Sequence, residues 1–190
     1  MFEVRIHGRA GQGAKLATQL LAEAALMDGK YAQAFPEYGP ERTGAPVIAY
    51  CRIDDKEIRA HYPIVKPDVV IVLDPSLLDS EPFDAGAGAD TILVINSRLA
   101  CADLQKKYFW SGDLYSMPAT EMALKVLGVN QVNTTLLGFL IRTMKIVKRE
   151  SLEEVLRRVL GAKNSDLVEK NIAALAAGYQ YKTIAACRRS

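Results

Sequence analysis

The chain has 190 residues, of which 49% are hydrophobic and 24% are charged, and its formal net charge is +2. This is the composition of a globular protein, and residues 1–190 are predicted to form a single domain with a real core. The charge is too small to indicate a nucleic-acid partner, and no apolar run approaches the roughly 20 residues that span a bilayer. The N-terminus shows no basic stretch followed by an apolar segment, so we expect a cytoplasmic protein without a signal peptide or a membrane partner.

The first half of the chain alternates short strands with turns and a helix, which is typical of an α/β domain. The helix has apolar residues three or four positions apart, as a helix packed on a sheet requires. Asp54-Asp55-Lys56 predicts the turn of an antiparallel hairpin between two of the strands. The strands are predicted at 2–6, 31–35, 46–53 and 57–62, and the helix at 14–27.

Two nearly continuous apolar runs in the second half predict strands that are covered on both faces. These are residues 68–74 and 90–96, and a short strand at 113–119 follows. Helices are predicted at 118–127, 134–146, 151–160 and 166–179, with a capping box of Ser151 and Glu154. The predicted fold is a three-layer α/β/α domain with a mostly parallel sheet, an antiparallel hairpin and a helical C-terminal part.

The cysteine and histidine patterns indicate neither a metal site nor a catalytic group. Cys51, Cys101 and Cys187 include no CxxC pair, so neither a zinc site nor an iron–sulfur cluster is indicated. Two or three of them are predicted to be buried free thiols. His7 and His61 lie far apart and have no obvious carboxylate companion. No catalytic residue and no metal ligand are therefore predicted.

Residues 8–13, GRAGQG, form a glycine-rich turn between the first strand and the first helix. The spacing is GxxGxG, which differs from the GxGxxG of dinucleotide-binding folds and lacks the Lys-Ser/Thr ending of a P-loop. Glycines nevertheless leave backbone N–H groups uncovered, and the positive end of the following helix favours an anion. The same residues would also suit a tight turn that only packs helix against strand.

A second unusual stretch is PEYGPERTGAP at 36–46, which we expect near the same edge of the sheet. Its prolines and glycines make the loop stiff, and Tyr38 and Arg42 are residue types common in binding surfaces. A solvated loop and a partner contact both fit this composition, and we favour the contact.

Together these stretches resemble the gamma subunit of 2-oxoacid:ferredoxin oxidoreductases, most closely the pyruvate type. The resemblance lies in residues 7–25, 35–53, 67–74 and 132–138, and it is weakest over 150–190. Gamma subunits of 2-oxoglutarate and of branched-chain or indolepyruvate oxidoreductases remain alternatives.

The resemblance implies a CoA-dependent oxidative decarboxylation. A 2-oxoacid and coenzyme A give acyl-CoA and CO2, and the electrons pass to ferredoxin. In this family the alpha, beta and delta partners hold thiamine diphosphate, Mg and 4Fe-4S clusters, so this chain is expected to bind no cofactor and to be inactive alone. An isolated chain would expose apolar surface through which it could form a homodimer.

The resemblance also implies two groups of site residues. The candidate CoA turn comprises Gly8, Arg9, Gly11, Gln12 and Gly13. The candidate interface comprises Glu37, Tyr38, Glu41, Arg42 and Thr43. Asn133 and Thr134 are predicted to cap the helix that follows them.

Two other hypotheses remain at this stage. A stand-alone Rossmann-like nucleotide-binding enzyme needs a ribose-binding carboxylate at the end of the second strand, and Glu37 falls at about that position. The glycine order weakens this hypothesis. The other hypothesis is an assembly subunit that binds no ligand. CoA titration would separate it from a gamma subunit that binds CoA.

Overall fold

A mixed six-stranded sheet lies at the centre of the fold. The computed structural model describes residues 1–37, 44–161, 165–182 and 187. The strands in this part of the chain are β1 (Phe2–Arg9), β2 (Tyr31–Pro36), β3 (Pro46–Asp54), β4 (Val69–Val72), β5 (Ile92–Asn96) and β6 (Leu114–Met117). The α-helices are α1 (Ala14–Met27), α2 (Cys101–Tyr108), α3 (Ala119–Leu127), α4 (Asn133–Met144), α5 (Arg149–Gly161) and α6 (Ser165–Gln180). Of these, α2 was not predicted from the sequence.

The sheet has the order β2-β3-β1-β4-β5-β6. β1, β4, β5 and β6 are parallel neighbours, whereas β3 is antiparallel to both β1 and β2. The predicted α/β fold with a mostly parallel sheet is confirmed. The carboxyl ends of the four parallel strands therefore meet at one edge, where α/β proteins commonly bind ligands.

The predicted hairpin between residues 46–53 and 57–62 is wrong. Residues 57–62 form no strand, and β3 pairs along its length with β1, from Phe2 opposite Ile53 to Arg9 opposite Pro46. β1 is more deeply buried than the polar 57–62 segment, so pairing with β1 buries more apolar surface.

Helices cover both faces of the sheet. Successive side chains of a strand point to opposite faces, and both faces of the central strands carry buried apolar residues. Val4, Ile71 and Val94 belong to the apolar cluster that contains α1 and α3 to α6. Val72 and Ile95 belong to a second cluster, on the opposite face, that includes Leu104 of α2. The sheet is thus the middle of three layers.

The predicted capping box of Ser151 and Glu154 is also wrong. α5 begins at Arg149, so Ser151 lies inside the helix. Asp28, at the end of α1, takes over the capping role: its carboxylate accepts a hydrogen bond from the backbone N of Lys148 at 2.6 Å and another from the Ser151 hydroxyl. A cap supplied by a distant residue leaves no local sequence signal.

The start of α4 differs from the prediction that Asn133 and Thr134 cap it. Val132 occupies the cap position, and no side chain of the described residues caps the helix. Both predicted caps are engaged elsewhere. Asn133 lies beside Gly13, and the Thr134 hydroxyl donates to Asn171 Oδ1 of α6 at 2.9 Å.

The prediction of free thiols holds for Cys51, which is buried and unpaired. It is wrong for Cys101 and Cys187, which form a disulfide with a Cα–Cα distance of 5.8 Å. Cys187 forms an antiparallel bridge with Leu114 of β6, beside the start of α2. This pairing of distant segments brings together two cysteines that are 86 residues apart.

Candidate ligand-binding turn at the carboxyl edge of the sheet

The predicted strand–turn–helix unit is present at the end of β1. Gly11 and Gly13 have φ values of 95° and 81°, a backbone region that other L-residues rarely adopt. Gly13 occupies the cap position of α1, where no side chain of the described residues caps the helix, and the first turn contains no acidic residue. The backbone N–H groups at the start of α1 are thus available to an anion.

Gly8 has a different role from the other two glycines. A Cβ at this position would lie 3.0 Å from Leu73 Cδ1 and 3.4 Å from Ala14 Cβ. Its small size lets β1 approach the end of β4 and the start of α1. Packing and backbone conformation therefore both contribute to the glycine pattern.

Arg9 and Gln12 do not extend freely into solvent, because residues that follow β4 hold both of them. Arg9 Nε lies 3.3 Å from Asp74 Oδ2, and Arg9 Nη2 donates to Ser76 Oγ at 2.8 Å. Gln12 Nε2 donates to Asp74 Oδ2 at 2.8 Å, while its Oε1 accepts from the Arg9 backbone N at 2.8 Å. The turn is therefore tied to the neighbouring parallel strand by side chains.

Asp74 and Ser76 were not predicted as site residues. Asp74 Oδ1 also accepts from Ser76 N at 3.0 Å and from Ser76 Oγ at 2.6 Å. Burial alone would raise the pKa of Asp74, but hydrogen bonds from Ser76 and Gln12 and the charge of Arg9 outweigh it and lower the pKa. The sequence did contain a signal for Asp74, because this carboxylate directly follows a predicted apolar strand. If that strand is parallel to β1, its carboxyl end lies at the same edge of the sheet as the glycine turn.

Asn133 adds a third segment to the site. Its side chain is 4% exposed, and a Cβ at Gly13 would lie only 2.6 Å from Asn133 Nδ2. The amide thus packs directly on the Gly13 backbone. The first helical turns of α1 and α4 meet at this point, although 119 residues separate Gly13 from Asn133 in the sequence.

The second predicted stretch also reaches this edge. Ala45 O accepts from the backbone N of Ala10 at 2.9 Å, and Gly44 O accepts from Arg9 Nη1 at 3.1 Å. The end of the 36–46 loop therefore contacts the glycine turn, as expected from the order of the strands.

Of the predicted interface residues, only Glu37 is described. Its backbone N donates to Ile48 O at 2.8 Å, and its carboxylate accepts from the Tyr50 hydroxyl. Burial and this hydrogen bond raise the pKa of Tyr50 to about 12. Tyr38, Glu41, Arg42 and Thr43 lie outside the described residues.

The sheet order argues against a dinucleotide site built around Glu37. That site needs the second strand beside the first, so that the carboxylate lies near the glycine turn. Here β3 separates β1 from β2. The Glu37 carboxylate is instead bound to Tyr50 of β3.

Neither a metal-binding cluster nor a membrane-spanning helix is found in the described part of the chain. No three His, Cys, Asp or Glu side chains come together there in a way that could hold a metal ion. In the same residues, no helix has both the length and the hydropathy of a membrane span.

Comparisons with known proteins match almost the whole chain. The family model described as pyruvate ferredoxin/flavodoxin oxidoreductase matches residues 3–181. The "Pyruvate/ketoisovalerate oxidoreductases common subunit gamma" of Pyrococcus furiosus is 44% identical over 181 residues, covering 95% of this chain and 96% of that protein.

Solved structures agree with the sequence matches. The crystal structure of pyruvate oxidoreductase subunit PORC from Thermotoga maritima is 42% identical, with a TM-score of 0.83 over 94% of this chain and 95% of that one. The 2-oxoglutarate:ferredoxin oxidoreductase of Magnetococcus marinus, solved with 2-oxoglutarate, coenzyme A and succinyl-CoA bound, shares the fold at 17% identity. Its TM-score is 0.76, over 94% of this chain and 30% of that one.

Proposed function

The chain belongs to the pyruvate ferredoxin/flavodoxin oxidoreductase family, as the gamma subunit of a 2-oxoacid:ferredoxin oxidoreductase, and on this basis we propose that it helps to bind CoA. The proposed site is the turn of Gly8, Arg9, Gly11, Gln12 and Gly13, with Asn133 beside it. The observation that carries the proposal is the uncapped N-terminus of α1 behind glycines at positive φ.

The chemistry of the turn suits a phosphate or a pantetheine amide. Backbone N–H groups at a helix N-terminus donate to phosphate oxygens, and the positive end of the helix favours their charge. Arg9 supplies a cation, and Lys15 in the first turn of α1 is exposed. The Asn133 amide can donate to a phosphate oxygen or accept from an amide N–H. These residues bind and orient the cosubstrate, and the bond changes take place on other subunits.

Pyruvate is the favoured 2-oxoacid, because the relatives are pyruvate or pyruvate/ketoisovalerate enzymes. The Pyrococcus furiosus relative is named a common subunit of both enzymes. A gamma subunit shared in this way cannot carry the pocket that selects the 2-oxoacid. We therefore assign substrate choice to other subunits, with ketoisovalerate as the second candidate.

The proposed partners are alpha, beta and delta subunits that hold thiamine diphosphate, Mg and 4Fe-4S clusters, with ferredoxin as the electron acceptor of the complex. In this arrangement the present chain also supports assembly in the cytoplasm, through a contact that includes the 36–46 loop. Gly44 and Ala45 connect this loop to the turn. A partner that docks at Gly44 and Ala45 would therefore lie next to the proposed CoA site.

Arg9→Ala is expected to raise the KM for CoA about tenfold in the reconstituted complex, because one charge-assisted hydrogen bond at a partly solvated site is worth about 1.5 kcal/mol. The KM for the 2-oxoacid should change less than twofold. Steady-state kinetics with each substrate varied in turn measures both constants. Arg59→Ala is the matched control, since Arg59 is 85% exposed and pairs only with Glu57 among the described residues. Normal assembly with an unchanged KM for CoA would leave the chain as an assembly subunit without a ligand.

A pair of glycine variants tests the role of Asn133. Alanine at either Gly11 or Gly13 meets backbone strain of about 1–2 kcal/mol at positive φ. At Gly11 the added methyl has open space, whereas at Gly13 it must displace Asn133. Gly13→Ala is therefore expected to raise the KM for CoA about tenfold more than Gly11→Ala, the loss of roughly one hydrogen bond to a charged group. Equal effects of the two variants would remove Asn133 from the site.

A further inference from the structure

Asp74 presents an electrostatic problem for the proposed CoA turn. Its carboxylate lies 2.8 Å from Gln12 Nε2 and is ionised at neutral pH, since its pKa is lowered. A fixed negative charge beside an anion site repels the anion. Some other contribution of Asp74 must outweigh this repulsion if the turn receives a phosphate.

The contacts of Asp74 identify that contribution. Within the described residues its polar contacts are all with donors: Gln12 Nε2 and Arg9 Nε at one oxygen, and Ser76 N and Oγ at the other. Ser76 Oγ, which donates to Asp74, also accepts from Arg9 Nη2 at 2.8 Å. The carboxylate therefore holds Arg9 both directly and through Ser76.

We infer that Asp74 is a positioning residue of the turn, which holds Arg9 and Gln12 in the arrangement that receives the CoA anion. This inference rests on the proposed function and extends the site to the segment that follows β4. Arg9 has a long side chain with several rotamers, and holding it in advance lowers the entropy cost of binding. Gln12 in turn fixes the backbone, because its Oε1 accepts from Arg9 N.

Asp74→Asn tests the inference sharply, because repulsion and positioning predict opposite results. Asparagine removes the negative charge, so relief of repulsion alone would tighten CoA binding. It also offers one acceptor oxygen and one NH2 group to four donors, so half of the contacts are lost. Positioning therefore predicts weaker binding, with the KM for CoA raised about tenfold, the size of one charge-assisted hydrogen bond. The kcat at saturating CoA and the KM for the 2-oxoacid should stay within about twofold.

A second measurement follows Arg9 without any CoA. Phenylglyoxal modifies free guanidinium groups. The chain is modified intact, and mass spectrometry of its peptides then gives the rate of modification at Arg9, with Arg59 as internal reference. Asp74→Asn should raise the rate at Arg9 about tenfold, since the guanidinium loses its fixed partner. Ser76→Ala keeps the Asp74 charge and should show a smaller rise in both measurements, and it serves as the test if Asp74→Asn does not fold.

Asp79→Asn is the matched control. It removes a carboxylate that is five residues away and pairs with Lys107 and Tyr108, outside the turn. It should change neither the Arg9 rate nor the KM for CoA. A lower KM for CoA in Asp74→Asn, or an unchanged Arg9 rate, would overturn the inference. A third outcome separates the two proposals: the modification rate at Arg9 rises in Asp74→Asn, but the CoA kinetics are unchanged in both Asp74→Asn and Arg9→Ala. That outcome would show that Asp74 positions Arg9, and it would refute CoA binding at the turn.

Discussion

Gly178→Ala is expected to lower the free energy of unfolding of the isolated chain by about 3 kcal/mol, the upper end of the usual cost of overpacking between close-packed elements. A Cβ at Gly178 would lie 1.8 Å from the backbone O of Thr135, and one at Gly138 would lie 2.1 Å from the backbone O of Leu175. The contact atoms are backbone, so neither can rotate away. α4 and α6 would have to separate.

That separation would break further contacts. The Thr134–Asn171 hydrogen bond joins the same two helices, and both residues are buried. A buried polar group that loses its partner costs about 1–3 kcal/mol. Against this, alanine gains about 1 kcal/mol over glycine in helix propensity. The propensity gain does not offset the loss.

Urea denaturation measures this effect through the midpoint at constant m-value. Gly88→Ala is the matched control, because Gly88 is exposed, has no positive φ, and would place its methyl in open space. A Gly178→Ala chain within 0.5 kcal/mol of the parent would contradict the packing of α4 on α6. Asn133 begins α4, so a partly folded variant should also show weaker CoA binding in the complex.

The features that could be predicted from the sequence are those coded by neighbouring residues. The bounds of α1 follow from its apolar spacing and from the Asp28-Gly29 ending, and the predicted and observed helices agree at 14–27. The glycine turn also has a local signal, because the positive φ values of Gly11 and Gly13 are conformations that glycine itself favours. The apolar run at 68–74 likewise predicted a buried central strand, and β4 lies within it.

The features that were missed depend on residues far apart in the chain. β3 pairs with β1 because that ladder buries more apolar surface than the local hairpin, a comparison that no short stretch contains. Asp28 caps α5 from 120 residues away, and Arg9 meets Ser76 from 67 residues away. Knowledge of the strand order alone would have predicted that Asp74 lies at the same edge of the sheet as the glycine turn. The contact of Asn133 with Gly13 needed the position of α4 as well.

His7 predicts a strong pH dependence of stability. It is 2% exposed on β1, and its Nε2 has no hydrogen-bond partner in the described residues. Burial, and then the nearby charge of Arg5, lower the pKa of His7 from 6.5 to about 4. The imidazole is therefore neutral in the folded chain between these two pH values, where an unfolded chain would bind the proton.

The sign of the effect follows from this difference in proton binding. Above about pH 7 His7 is neutral in both states, so its contribution to stability is fully present. As the pH falls below 6.5 the unfolded state gains the proton first, and stability declines until the folded His7 also titrates near pH 4. Each unit of pKa shift is worth about 1.4 kcal/mol, so the total loss is about 3 kcal/mol.

Urea denaturation at intervals between pH 7.5 and 4, for the parent chain and for His7→Gln, isolates this contribution. Carboxylates also titrate toward the acid end of this range, and subtracting the two curves removes their common effect. We expect the difference to be flat above pH 7 and to change by about 3 kcal/mol by pH 4. His61→Gln is the control, because it removes the other histidine of the chain from an exposed position. If the parent and His7→Gln curves run parallel over the whole range, His7 is not buried as a neutral group. The face of β1 that carries Arg5 and His7 must then be open to water.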